Sequence, residues 1–439
     1  MRKTIATAAC LLAGASTGAP LAAVGGAGSA THAAASVFHL SSTSDTSSLT
    51  KVDAGSLADI SGAAKQWKSG YTGKGVDVAV IDSGVTPVDG LSAPGKVVYG
   101  PDFTLDGTDP AVRNLDVFGH GTHISGIIAG NGADETNPFM GVAPDSRILS
   151  VKVANADGTT TAGQVIAALN WVTDHRNDNG LRVRVVNLSL GSVAADAYKK
   201  DELAGAVERA WKAGVVVVVA GGNDGWQSDG LNNPAFDPYV VAVGAADTQA
   251  AAVTADDGVA SFSSAGDGTR NPDVVAPGTG IQSLRVPGSV IDQAVPVADG
   301  ADPRFVRGSG SSQAAGVVSG QVALLLQARP TLTPDQTKYL LTKTATSLGW
   351  TSPLGVFYPW PAYLQGAGEV ELNGAVHASI AKSSSTYVQT FKVSKYVSSD
   401  VTTVDLDTSG ARWSGVRWSG VRWSGVRWSG VRWSGADWG

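Results

Sequence analysis

The sequence predicts a mainly parallel α/β domain, and three observations carry that prediction. The run Val215–Val219 is apolar at every position, as a strand buried on both faces requires. Strand-like runs of this kind alternate with helical segments, the pattern of strand–helix–strand crossovers. The run Val76–Ile81 closes on Asp82-Ser83-Gly84, and the carboxyl end of a buried strand is where open α/β sheets place their functional groups.

In chain order, Met-Arg-Lys, an Ala/Leu-rich run from Ile5 and Ala33-Ala34-Ala35 describe a secretory signal peptide over residues 1–35. Cleavage is expected near Ala35, with Ala30 as the second choice. Cys10, the single cysteine, lies inside that signal and lacks the aliphatic residue a lipid anchor needs three positions earlier. The exported chain is therefore expected to hold without disulfides, by the size of its core. No later stretch is long and apolar enough to span a membrane. The net charge of −6 divides into +2 in Arg2 and Lys3, +4 beyond Ala411 and −12 over residues 36–410. An acidic body with a small basic tail does not suggest a nucleic-acid-binding core.

Residues 36–55, rich in Ser, Thr and Asp, read as a lead-in or short pro-segment, and residues 56–382 as the main domain. Within it, Ala58–Trp67 predicts a helix and Val76–Ile81 a strand. Arg147–Val153 predicts the next strand, and Thr161–Asp174 an amphipathic helix with Val165, Ala168, Leu169 and Val172 on one face. Arg184–Gly191 is a strand, Asp201–Lys212 a helix stopped by Gly214, and Val215–Val219 the continuous apolar strand. Tyr239–Gly244 and Asp273–Ala276 continue the pattern. A helix begins at Ser312, and Pro334–Thr344 closes the domain with Thr333 as its N-cap.

Three stretches carry chemistry. Ser312 sits among small residues (Gly308-Ser-Gly-Ser-Ser-Gln-Ala-Ala) just before an apolar helix, whose first N–H groups favour a developing oxyanion. His120 and His123 lie in Gly119-His-Gly-Thr-His, again entering an apolar helix; no third ligand for a zinc site stands near them. Asp82 in Asp-Ser-Gly also fits an aspartic-peptidase triplet, but that chemistry needs a second such triplet and the chain has none. Taken singly, each stretch also fits a plain turn, cap or core role.

Together, in the order Asp82, His120, Ser312, with Ala220-Gly221-Gly222-Asn223 between the last two, they make residues 56–345 resemble the subtilisin-like serine peptidases, the subtilases. The resemblance implies a three-layer sandwich around a mainly parallel seven-stranded sheet. It implies a serine endopeptidase acting on proteins or peptides, with Ser312 as nucleophile, His120 as general base and Asp82 orienting the imidazole. Asn223 matches the oxyanion-hole asparagine. Ser189-Leu190-Gly191 matches the edge that pairs with substrate backbone, Ala220-Gly221-Gly222 the opposite wall of the pocket, and Asn232 falls near its floor. His123 is structural in the family. No cofactor is expected for catalysis; subtilases often carry structural calcium, and no carboxylate cluster here assigns a site.

The chain departs from the family in four ways. Gln313 replaces the methionine after the nucleophile, which leaves Met140 as the mature chain's methionine and predicts tolerance to peroxide. Gly316 replaces a proline and is expected to loosen the helix start; Ser311 replaces a threonine. Only residues 36–55 stand where many subtilases carry a pro-domain, so the enzyme either folds unaided or is restrained by something outside the chain. A silent binding protein on the same fold is the alternative reading.

Residues 383–410 read as a linker, and 411–439 as five-residue Arg-Trp-Ser-Gly-Val units holding six of the twelve tryptophans. A period of five gathers the rings on no single face, so a flexible segment is expected. Arg beside Trp suits stacking on sugars or anionic surfaces, and the tail is read as a cell-surface or wall attachment segment. A carrier for that tail is a further alternative.

Overall fold

The computed structural model describes residues 54–132, 139–192, 201–248 and 257–380, and two short strands at 416–417 and 432–434. The signal peptide, most of the lead-in, the linker and the rest of the tail lie outside the described residues.

The chain opens with α1 (Ala54–Ile60) and α2 (Ala63–Lys68). One helix was expected here; Gly62, at φ 73°, breaks it in two. Then follow β1 (Asp77–Asp82), β2 (Val97–Asp102), α3 (His120–Ala129), β3 (Arg147–Lys152), α4 (Ala162–His175), β4 (Val183–Leu188) and β5 (Gly191–Ser192). Next come α5 (Glu202–Lys212), β6 (Val216–Ala220), β7 (Val241–Asp247), β8 (Gly258–Val259), β9 (Val274–Pro277), β10 (Ile281–Leu284) and α6 (Val290–Ala294). The domain ends in β11 (Phe305–Ser309), α7 (Ser311–Ala328), α8 (Pro334–Thr344), β12 (Gly349–Thr351), β13 (Phe357–Pro359), α9 (Ala362–Gln365) and α10 (Leu372–His377). In the tail, β14 (Val416–Arg417) and β15 (Arg432–Ser434) lie antiparallel to β5 and β11.

The central sheet runs β2-β3-β1-β4-β6-β7, with β9 parallel and β8 antiparallel on β7. It thus holds the expected seven parallel strands plus a two-residue antiparallel addition. The helices α3 and α7 pack together against one face, α4 and α5 against the other. Fully buried runs such as β1 and β6 follow from this double cover. From β1 the chain winds first toward β2 and β3, then back past β1 to β4, so the order reverses beside β1. Crevices at such a reversal, at the carboxyl ends of the strands, are where these sheets bind ligands.

Local chemistry sets the helix starts. Thr161 and Thr333 each form a capping box, with Gln164 and Gln336, and Asp201 caps α5. The strand β2 was not foreseen: it is an edge strand, half-exposed, and contains Gly100-Pro101.

Candidate active site

Asp82 ends β1, fully buried, and both its oxygens face His120 Nδ1, at 2.8 and 3.0 Å. The Ser83 N–H donates to Asp82 Oδ1 at 2.7 Å, which holds the carboxylate in one orientation. His120 is the first residue of α3 and is reached through Gly119 at φ 107°. Asp116, three residues before that glycine, accepts from the N–H groups of Gly119 and Thr122 and from the Ser83 hydroxyl, at 2.6–2.8 Å. It therefore ties the turn carrying His120 to the strand carrying Asp82. Complete burial pushes its carboxyl above the usual carboxylate range, and these four donors, Thr122 giving two, offset part of that rise.

Ser312 lies in the first turn of α7, whose N–H groups have no acceptor inside the helix. Its hydroxyl donates to the Ser189 carbonyl, and the Ser189 hydroxyl to the Ser312 carbonyl, both at 3.1 Å. Behind them Ser319 donates to Asn187 and Asn187 to Ser189, each at 2.9 Å. This chain of hydrogen bonds fixes the end of β4 against α7.

Asn223 follows β6, also buried. Its Oδ1 accepts from the Ser311 N–H at 2.7 Å, so the amide cannot turn over, and its Nδ2 is buried with no hydrogen-bond partner. A donor held one residue from Ser312 with nothing to donate to is a site for an incoming oxygen. Gly222, at φ 118°, donates to the Ser311 hydroxyl at 3.2 Å.

The proposed pocket walls face each other across Asn232. A Cβ on Gly191 would lie 3.0 Å from Asn232 Cβ, and one on Gly222 2.6 Å from Asn232 Nδ2. Asn232 donates from its backbone to the Gly221 carbonyl at 3.0 Å and from its side chain to Asp224 at 3.3 Å. Ala220 and Leu190 are buried behind these walls. The edge at Gly191–Ser192 pairs antiparallel with β14, so it accepts an added strand.

His123 is buried in α3 against β10, and burial holds its imidazole well below the usual histidine range, with the nearby His120 charge adding to the shift. Gln313 is buried with neither amide atom hydrogen-bonded. The loosening expected at Gly316 does not occur: α7 runs unbroken from Ser311 to Ala328, and Gly316 lets it approach Ile124 and Ile127 of α3. Asp116, Asn187 and Ser319 escaped the sequence reading, and Ser311 was noted there only as a replacement for threonine. An Asp three residues before Gly-His was the one available sign, as a capping acid for α3.

Among the described residues, no group of three or more His, Cys, Asp or Glu is placed to hold a metal ion. No helix among them is long and apolar enough to cross a membrane. A cavity of about 560 Å³ opens at the other ends of β4 and β6, lined by Arg184, Trp211 and Leu332 among others, and none of the candidate residues lines it.

The profile of the subtilase family matches residues 73–368. The chain is 39% identical over 276 residues to the serine protease AprX of Bacillus subtilis (strain 168), covering 62% of this chain and 61% of that protein. It thus spans less than two thirds of AprX. To subtilisin DY of Bacillus licheniformis it is 34% identical over 291 residues, covering 65% of this chain and 89% of that one. The solved structure of the prenylagaramide maturation protease PagA superposes with a TM-score of 0.54 at 25% identity, covering 72% of this chain and 97% of that chain.

Proposed function

The chain belongs to the subtilase family of subtilisin-like serine endopeptidases, and on that premise we propose that it cleaves peptide bonds through an acyl-enzyme on Ser312 after export from the cell. Ser312 Oγ attacks the scissile carbonyl carbon while His120 Nε2 takes its proton. Asp82 holds the imidazole by Nδ1 and stabilises the cation that forms. The oxyanion is received by Asn223 Nδ2 and the Ser312 N–H. Collapse breaks the C–N bond, and His120 returns the proton to the leaving amine. Water, deprotonated by His120, then releases the acyl group and restores Ser312.

The observation that carries this reading is Asn223: a buried amide pinned by its oxygen, its nitrogen unpartnered, beside the helix start that presents Ser312. Asn223→Leu is expected to lower kcat by about 10²–10³-fold with KM little changed, the usual cost of one such donor in this family. An organofluorophosphonate should add once to the wild type, by intact mass, and not to Ser312→Ala. No adduct on folded protein would sink the proposal. Pairing of substrate backbone with Ser189–Gly191 is supported by the strand that edge already accepts. Export rests on the N-terminal pattern. The Arg/Trp tail is assigned surface attachment, and deleting residues 411–439 should release the protein from cell-wall material; unchanged retention would remove that role.

A further inference from the structure

From Thr344 to Gly368 the chain carries no charged residue, and this stretch includes the hairpin β12–β13. Leu354, near its tip, is 90% exposed, and Trp350, Val356, Phe357 and Tyr358 also face solvent. Trp350 stacks on Tyr358 across the two strands, with ring centroids 4.6 Å apart. An apolar cluster of this kind on a soluble domain marks a contact surface, and paired aromatics make strong anchors within one.

The hairpin is firmly mounted. The Gln365 side chain accepts from the Leu348 N–H at 2.7 Å and donates to the Leu348 and Trp360 carbonyls. The Trp360 N–H donates to the Leu348 carbonyl at 2.8 Å. A second aromatic pair joins the base of the hairpin to the loop that follows β6. The Trp360 ring meets that of Trp226 at 5.3 Å, and Trp226 lies on the loop that begins with Asn223, its indole anchored on the Ala260 carbonyl at 2.9 Å.

We propose that the β12–β13 hairpin is an exosite that holds extended, unfolded polypeptide through its apolar side chains while the adjoining cleft cuts it. The inference rests on the cleft being the peptidase site. Trp226 lies three residues beyond Asn223, so the hairpin is joined to the loop that carries the proposed oxyanion donor, which favours a polypeptide reaching that site. A lipid surface is disfavoured because the −12 body would be repelled by anionic headgroups.

The test uses the full mature chain with Leu354→Asp, at a position too exposed to affect folding, and with Trp350→Ser added. Reduced, carboxymethylated α-lactalbumin serves as the unfolded substrate and a tetrapeptide anilide as the short one. The double variant should lose about tenfold in kcat/KM on the long substrate, through KM, and keep its rate on the anilide. Equal losses on both, or none on either, would overturn the exosite. So would wild-type binding to phosphatidylcholine vesicles, or dimerisation in sedimentation, abolished by the variants while cleavage of the long substrate is unchanged. If the wild type cleaves neither substrate, the peptidase reading fails instead. The exosite is then judged by fluorescence anisotropy of the labelled unfolded chain on Ser312→Ala, which must weaken about tenfold in the hairpin variants and is refuted by equal affinity.

Discussion

At the scale of single residues, the candidate site is defined as much by hydrogen bonds left unmade as by those formed. Asn223 keeps an unused buried donor beside Ser312, where an oxyanion would meet it. Gln313, next in the chain after Ser312, leaves both amide atoms without a partner. An unmet buried polar group costs about 1–3 kcal/mol, while an apolar side chain of similar volume carries no such penalty. Gln313→Met should therefore raise Tm by a few degrees, at about 2–4 °C per kcal/mol for a domain of this size. It should also make activity sensitive to peroxide, because a sulfoxide would form beside Ser312. Thermal melts and residual activity after peroxide check both halves; an unchanged Tm would mean that water satisfies the amide. Asp82, His120 and Ser312 were legible as candidates in the sequence because they sit in short motifs of distinctive composition. Asp116 was not, because it acts through backbone N–H groups of a turn, which any residue type supplies.

At the scale of elements, α3 and α7 bring the histidine and the serine to one side of the sheet, and glycines set how closely they pack. A Cβ on Gly121 would overlap the Gly84 carbonyl and reach within 3.0 Å of Asp82 Oδ1; one on Gly320 would come within 2.5 Å of Val142 Cβ. Gly121→Ala should displace the start of α3 from β1 and lower kcat/KM by about 10²-fold, the scale of a small misplacement of reacting groups, with circular dichroism unchanged. Near-wild-type kcat/KM would show that the turn yields without moving His120. Helix starts were legible through Thr161, Thr333 and Pro334, whose capping chemistry is local. The short pairs β10–β11 and β12–β13 were not, since three- to five-residue strands leave too little alternation to read.

At the scale of the molecule, elements far apart in sequence share one largely buried set of charges around β7. Asp273 binds Arg270 and Lys338 at 2.9 Å each, Lys338 also donates to the Pro238 and Val240 carbonyls, and Arg270 to that of Asp237. Burial lowers the Lys338 ammonium to about 8, even with Asp273 beside it. Burial first, then the charge of Glu208 on α5, pushes the Asp237 carboxyl well above its ordinary range. Folded chains thus keep a proton on Asp237 that unfolded chains release near pH 4. The resulting stability is complete below that pH and is lost as pH rises through the folded value. Asp237→Asn keeps an acceptor for the Tyr239 N–H, which Asp237 now binds at 2.6 Å, and removes the titration. Its Tm should match the wild type at pH 4 and exceed it at pH 8. A difference that does not vary with pH would sink this assignment.

What the sequence by itself determined is the family and the class of fold: the motifs holding Asp82, His120, Asn223 and Ser312 in order, and strands apolar on both faces between helices. Both are local properties, composition within a motif and periodicity along a run. Only the tertiary structure decided which groups are left with unmet hydrogen bonds, which carboxyls share a buried site, and which aromatic hairpin stays in water beside the cleft. Each of these depends on neighbours brought together by parallel strand pairing and helix crossing. A residue's type states what it can donate or accept; only its surroundings state what remains to be satisfied.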